Sequence, residues 1–365
     1  MIQTVSLSDI CTKITSGGTP LTKRDDYYGG GIPWLRTQEV NFGNIYSTEK
    51  TITELGLNNS SAKIIPKDSV IVAMYGATAG KSAINKIPLT TNQACCNLII
   101  DNNKADYRFV YYYLVNSYEK LLSAAVGAAQ QNLGSKQISA MTINLPPLYQ
   151  QKKIANILGS LDEKIELNRR MNETLEQLGQ ALFRHYFINN PDAKNWKKRS
   201  LGEFFPVKTG KKDANFGTKD GKFPFFTCAQ TISRAPSYSF DGSAILVAGN
   251  GDFNIKYYMG KFEAYQRTYV LIPHNEELLG FLYFLMKKDL SLITGGSRGS
   301  VIKFITKGMI ENYRVELPND NDLAAFAPIF SELLDLISHS NEQIQTLAVL
   351  RDTLLPKLIS GEIEV

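Results

Sequence analysis

Leu145-Pro-Pro-Leu-Tyr-Gln-Gln-Lys-Lys-Ile-Ala-Asn-Ile-Leu-Gly-Ser-Leu-Asp-Glu-Lys-Ile165 settles the architecture, because its apolar pattern returns 172 residues later. Leu145-Pro146 falls on Leu317-Pro318, Ile154 on Phe326, Ile157-Leu158 on Ile329-Phe330, and Leu161 on Leu333. Further along, Ile165 meets Ile337, Leu175 meets Leu347, Leu178 meets Leu350, and Leu182-Phe183 meets Leu354-Leu355. Identity is low, yet the apolar positions superpose, which is what a shared packing face requires.

In both copies apolar residues recur at three- and four-residue steps with charges between them, which predicts two amphipathic helices of about 40 residues. Pro146-Pro147 and Pro318-Asn-Asp mark the starts. Pro191 marks one end, and Pro356 with Gly361 the other. A helix this long with one apolar stripe needs a partner, and the simplest partner is its own repeat, as an antiparallel coiled coil. The expected seam is Ile154, Leu158, Leu161, Ile165, Asn168, Leu175, Leu178 and Leu182 against Phe326, Phe330, Leu333, Ile337, Leu347, Leu350 and Leu354. Asn168, where the second copy has Ser340, either sets the register or marks a solvent-facing break in the stripe.

The blocks ahead of the helices also correspond. Val5-Ser-Leu-Ser-Asp-Ile10 opens one and Arg199-Ser-Leu-Gly-Glu-Phe204 the other. Ser69–Tyr75 and Ser243–Ala248 read as buried strands running into Gly-rich turns. Asn92-Gln93-Ala94 and Tyr265-Gln266-Arg267 each precede a further strand, and aromatic helices are predicted over Tyr107–Leu122 and Glu277–Leu290. The fold class is therefore α/β (α+β) with an internal pseudo-two-fold repeat. Globular domains over 1–145 and 191–317 alternate with long helices over 146–190 and 318–365.

Net charge is +3 over residues 1–145, +1 over 146–190, +7 over 191–317 and −6 over 318–365. Basic globular blocks suit an anionic polymer, and the helical segments suit protein contact. The four cysteines (Cys11, Cys95, Cys96, Cys228) lack any framework or zinc spacing, so free thiols in a reducing cytoplasm are expected. No apolar run approaches the length of a membrane span, and no secretory signal pattern opens the chain.

Taken in order, these strings resemble the specificity subunit of type I restriction-modification systems. The resemblance rests on Ser16-Gly-Gly-Thr-Pro20, Ile32-Pro-Trp-Leu-Arg36, Tyr75-Gly-Ala-Thr-Ala-Gly-Lys81 and Gln130-Gln-Asn-Leu133. It continues through Leu145–Ile165, Phe262-Glu-Ala-Tyr-Gln-Arg-Thr-Tyr269 and the terminal Leu354-Leu-Pro-Lys-Leu-Ile-Ser-Gly-Glu-Ile363. The second helix departs from the pattern: Asn319-Asp-Asn-Asp-Leu323 stands where the first has Gln150-Gln-Lys-Lys-Ile154. The resemblance implies two target recognition domains, each reading one half of a bipartite asymmetric site in double-stranded DNA. It also implies that the helices act as a ruler and dock two methyltransferase subunits, with restriction subunits joining the full complex. S-adenosylmethionine, ATP and Mg would then sit only on partner subunits, and this chain would carry no cofactor, metal or catalytic residue. A 40-residue helix spans about 60 Å at about 1.5 Å per residue. Half-sites about one DNA turn apart leave an unread spacer of roughly 5–8 base pairs.

DNA readout needs cations and amides on phosphates, and Arg, Lys, Asn, Gln or Thr on base edges. In the first domain the candidates are Ser16, Thr19, Arg36, Thr37, Gln38, Tyr75, Thr78, Lys81, Gln130, Gln131, Asn132 and Lys136. In the second they are Lys211, Lys212, Thr227, Gln230, Asn250, Asn254, Lys256, Arg267, Ser297, Arg298 and Lys303. Trp34 and Trp196 read as core anchors, and Lys197-Lys-Arg199 as a solvated run. Two other functions compete: a DNA-modifying enzyme with an unrecognised catalytic segment, and a coiled-coil protein scaffold. The enzyme motifs fail, however. Gly76-Ala-Thr-Ala-Gly-Lys-Ser82 is one residue short of a phosphate-binding loop and precedes an extended segment. Asn144-Leu-Pro-Pro-Leu-Tyr149 breaks the Asn-Pro-Pro-Tyr spacing of adenine methyltransferases.

Overall fold

A computed structural model of the chain describes residues 2–124, 132–297 and 303–365. The repeat is built twice from the same parts. Strand Gln3–Ser6 pairs antiparallel with Thr142–Leu145, placing Gln3 opposite Leu145. Lys197–Ser200 pairs the same way with Arg314–Leu317, placing Lys197 opposite Leu317. Each opening strand ends in a capped turn. The Ser6 amide donates to Asp9 Oδ2 at 2.9 Å, and the Ser200 amide to Glu203 Oε1 at 2.8 Å, so a short acid three residues on satisfies the freed N–H in both copies. After two intervening residues each closing strand is followed by a long helix, Leu148–Phe183 and Asp320–Ser360. The first runs on through a π turn, Arg184–Ile188.

The chain divides into two compact units, Met1–Glu166 with Gln345–Val365, and Leu167–Ile344. This differs from four consecutive segments, because the division falls inside both long helices and each unit holds a piece of each.

In the first unit a five-stranded sheet runs in the order Cys11–Ser16, Cys95–Ile100, Val70–Ala73, Ser82–Asn85, Asn44–Ile45. A three-stranded sheet runs Lys50–Ile52, Tyr28–Leu35, Thr90–Thr91. Helix Tyr107–Asn116 buries Phe109, Val110 and Leu114 against the larger sheet. Ile154 and Leu158 of the first long helix and Leu355 and Leu358 of the second complete that core. In the second unit a six-stranded sheet runs Val207–Thr209, Thr268–Leu271, Phe240–Ala248, Ile255–Ala264, Phe223–Phe226, Ser233–Ala235. Helix Leu279–Ile293 packs Phe281, Leu282 and Phe284 with Phe183, Phe187 and Phe330 of the long helices. Each such side chain contributes roughly 1.5–3 kcal/mol on burial. Trp34 is buried and donates through its indole N–H to the Gly18 carbonyl at 3.0 Å, and Trp196 packs on the second core. All four cysteines are free. Among the described residues no helix is long and apolar enough to cross a membrane, and no cluster of ligating side chains could hold a metal.

Within the second unit the helix segments lie antiparallel. Asn168 Nδ2 donates to Gln343 Oε1 at 3.1 Å, and Asn172 Nδ2 to Asn341 Oδ1 at 2.9 Å. Asn168 is fully buried, which removes the solvent-facing alternative. In the first unit Arg351 reaches Asp162 Oδ1 at 2.7 Å, while Tyr112 donates to Asp162 Oδ2 at 2.7 Å.

The expected seam is corrected at two equivalent positions. Leu178 and Leu350 are both 45% exposed. One residue on, Gly179 is the inward position, because the ring of Phe284 occupies the space a side chain would need. Its counterpart is Arg351, turned in to pair with Asp162. Pro356 does not end its helix; Gly361, at φ +80°, follows the last helical turn. A proline inside a helix costs about 3 kcal/mol. Burial of Leu355 and Leu358 on either side offsets that and carries the helix through.

Candidate nucleic-acid interface

The loops carrying most of the candidate residues converge in each domain, and they converge in the same way. In the first domain Trp34 and Leu35 pair parallel with Thr90 and Thr91, and in the second Phe225 and Phe226 pair parallel with Glu263 and Ala264. The next amide donates back across each pair at 2.9 Å, Asn92 to the Leu35 carbonyl and Tyr265 to the Phe226 carbonyl. Ala73 lies opposite Cys95, and Ala248 opposite Thr268. The turns that follow close identically: the Ala73 amide donates to the Lys81 carbonyl and the Ala248 amide to the Asn254 carbonyl, both at 2.9 Å. Finally, Leu133 donates to Met74 and Ile305 to Gly249, again at 2.9 Å.

Four loops therefore meet on each platform. In the first domain they are 16–19, 36–41, 74–81 and 92–94; in the second, 210–213, 227–230, 249–254 and 265–267. A glycine permits one of the approaches in each. A Cβ on Gly17 would collide with the Thr91 carbonyl, and one on Gly210 with the Ala264 and Tyr265 carbonyls.

On the first platform Ser16, Gln38 and Tyr75 are exposed. Thr19 hydrogen-bonds Gln93, tying two loops together. Lys81 lies half-buried over the Phe42 ring and donates to Asn41. Arg36 is engaged within the protein by Glu49 and Glu39. Thr78 donates to the Thr37 carbonyl at 2.8 Å. Thr37 itself is buried, its hydroxyl bonded to Asn92 Oδ1 at 2.8 Å, so it supports the loop and faces no ligand. Asn132 is exposed next to the Leu133–Met74 bond. Lys136 is not drawn into the cluster; it projects from helix Ser135–Ala140, which packs against the Leu7–Ile10 turn.

On the second platform Lys211, Gln230, Arg267 and Lys303 are exposed cations and amides. Lys212 lies over the Phe216 ring, 4.6 Å from its centroid. Thr227 accepts from the Ala229 amide at 3.2 Å, and Asn250 bridges to Phe304. Asn254 is buried rather than reading outward. Its amide donates to the Cys228 carbonyl at 2.8 Å and the Asp252 carbonyl at 2.9 Å, and its oxygen accepts from Lys256. The Lys256 ammonium also donates to the Ala229 carbonyl at 2.7 Å, and its partial burial lowers its pKa. Ser297 and Lys303 line a cleft of about 660 Å³ with Gly251 and Asp252. Gln130, Gln131 and Arg298 lie outside the described residues.

Sequence reasoning passed over Gln93 and Gln266, which sit at equivalent loop positions and bond Thr19 and Asp213. The signal available was their shared place in the repeat, one residue after Asn92 and Tyr265.

Two copies of one loop platform, each with a piece of both long helices, define a duplicated recognition subunit. A family model for the type I restriction modification DNA specificity domain matches residues 2–177 and again 193–348. The chain belongs to that family and is a DNA specificity subunit. The type I restriction enzyme MjaIX specificity subunit of Methanocaldococcus jannaschii is 27% identical over 398 residues, covering 97% of this chain and 91% of that protein. The EcoDI specificity subunit of Escherichia coli is 43% identical over 173 residues, 46% of this chain and 39% of its own. The crystal structure of the type I restriction-modification S subunit from M. genitalium superposes with a TM-score of 0.63 at 20% identity, over 98% of this chain and 96% of that one, a shared fold.

Proposed function

We propose that the two platforms read the two halves of a bipartite, asymmetric site in double-stranded DNA. The observation that carries this reading is the duplication itself: the same hydrogen-bonded loop frame is built twice, with different side chains at its tips. By the backbone pairings of the two frames, Lys211 and Arg267 on one platform fall on Gly18 and Ala94 on the other, so neither has a cationic counterpart there. The frames give both domains the same way of approaching DNA, and the tips give them different bases to read.

The long helices pair as an antiparallel coiled coil, set the spacer and dock two methyltransferase subunits; restriction subunits join the full cytoplasmic assembly. Chemistry belongs to those partners, which carry S-adenosylmethionine, ATP and Mg, and this chain contributes specificity without catalysis. Mapping methylated adenines across a genome that expresses the system tests the reading. Two short defined sequences separated by an undefined spacer are expected, and a single continuous motif would overturn it.

A further inference from the structure

The two platforms share one tie that their sequences do not share. By the pairings above, residue 37 corresponds to residue 228: each lies two residues beyond the parallel strand pair that ends at Leu35 or Phe226. The carbonyl at that position is captured in both domains by a side chain from the following turn. Thr78 Oγ1 donates to the Thr37 carbonyl at 2.8 Å, and Asn254 Nδ2 donates to the Cys228 carbonyl at 2.8 Å. The donors differ in chemistry and in place, since Asn254 corresponds to Lys81 and not to Thr78. The captured carbonyl is therefore the common element, and each half meets it with its own residue.

The bonding leaves these donors little capacity for DNA. Both amide hydrogens of Asn254 go to backbone carbonyls and its oxygen accepts from Lys256. The Thr78 hydroxyl has its single proton on the Thr37 carbonyl. What the tie does control is the loop tip beside it. Gln38 directly follows one captured carbonyl and Gln230 lies two residues past the other, and both are exposed. A glutamine reads a base edge only when it is held at the correct angle and depth, so the restraint on the backbone beneath it bears on discrimination.

We propose that Thr78 and Asn254 are equivalent positioning residues that hold the Gln38 and Gln230 loops for readout, and that neither touches a base. This rests on the reading of one half-site per platform. The test uses the complete complex with its methyltransferase subunits and a DNA library varied at each position of both half-sites. Thr78→Val is expected to lower discrimination by about tenfold, on the scale of one lost hydrogen bond, at several adjacent positions of one half-site only. Asn254→Leu is expected to do the same to the other half-site only. Thr78→Ser, which keeps the donor, should restore discrimination. Melting temperatures of the variant complexes separate loop positioning from general destabilisation, which would weaken both half-sites together. Unchanged discrimination in both folded variants overturns the assignment. Relaxation at a single base position also overturns it, because that is the mark of a direct reader. A wild-type complex with no dependence on one of the half-sites would instead overturn the two-platform reading itself.

Discussion

At the scale of single residues, the buried thiols show how composition becomes a pH limit. Cys95 and Cys96 are fully buried on the strand Cys95–Ile100, and burial pushes both thiols up to about 12 from an ordinary value of 9.0. The folded chain therefore keeps two protons that the unfolded chain releases above pH 9. Stability from these groups is fully present below pH 9 and is lost as pH rises toward 12. At pH 10.5 the loss approaches about 2 kcal/mol for each thiol. We expect urea midpoints to fall between pH 8 and pH 10.5, and the fall to be shallower in a Cys95→Ala, Cys96→Ala chain. Identical pH profiles for the two chains would refute this. Buried tyrosines such as Tyr111 and Tyr112, also raised chiefly by burial, steepen the decline in both chains at the alkaline end.

At the scale of elements, the long helices were legible because their periodicity is set by burial, and burial leaves a mark at every third or fourth residue. The seam was legible only in part. A stripe followed by counting leucines selects Leu178 and Leu350, whereas the faces that turn inward carry Gly179 and Arg351. A glycine that admits a neighbour's ring and an arginine that pairs with a partly buried acid carry no apolar signature. The loop frames were still less visible. Their ties run from side chains to carbonyls dozens of residues away, as from Thr78 to Thr37, and nothing in local spacing encodes them. Asn168 is the seam position with the clearest energetic consequence. Its amide nitrogen is bonded to Gln343, but its oxygen is buried without a hydrogen-bond partner. An unsatisfied buried acceptor costs about 1–3 kcal/mol. Asn168→Leu is expected to raise the melting temperature of the chain, and a lower one would show that the polar layer contributes net stability.

At the scale of the whole molecule, duplication gives two platforms of one design, and the charge count makes them unequal. Residues 191–317 carry +7 and residues 1–145 carry +3. Exposed Lys211, Arg267 and Lys303 stand on the second platform, whereas on the first Arg36 is neutralised by Glu39 and Glu49. Each phosphate neutralised by a Lys or Arg releases condensed counterions, and the logarithm of affinity then falls against the logarithm of salt by roughly 0.9 per contact. The platform with more free cations is therefore the more salt-sensitive one. With DNA in which one half-site is scrambled, the complex should lose affinity more steeply with salt when the second platform's half-site is the one retained. Removing Lys211 and Arg267 together should then flatten that slope by about two if both reach phosphates. The slope measured on the first platform's half-site should not change. Equal slopes on the two DNAs, or a steeper slope on the first platform's half-site, would mean that the excess charge of the second domain faces away from DNA.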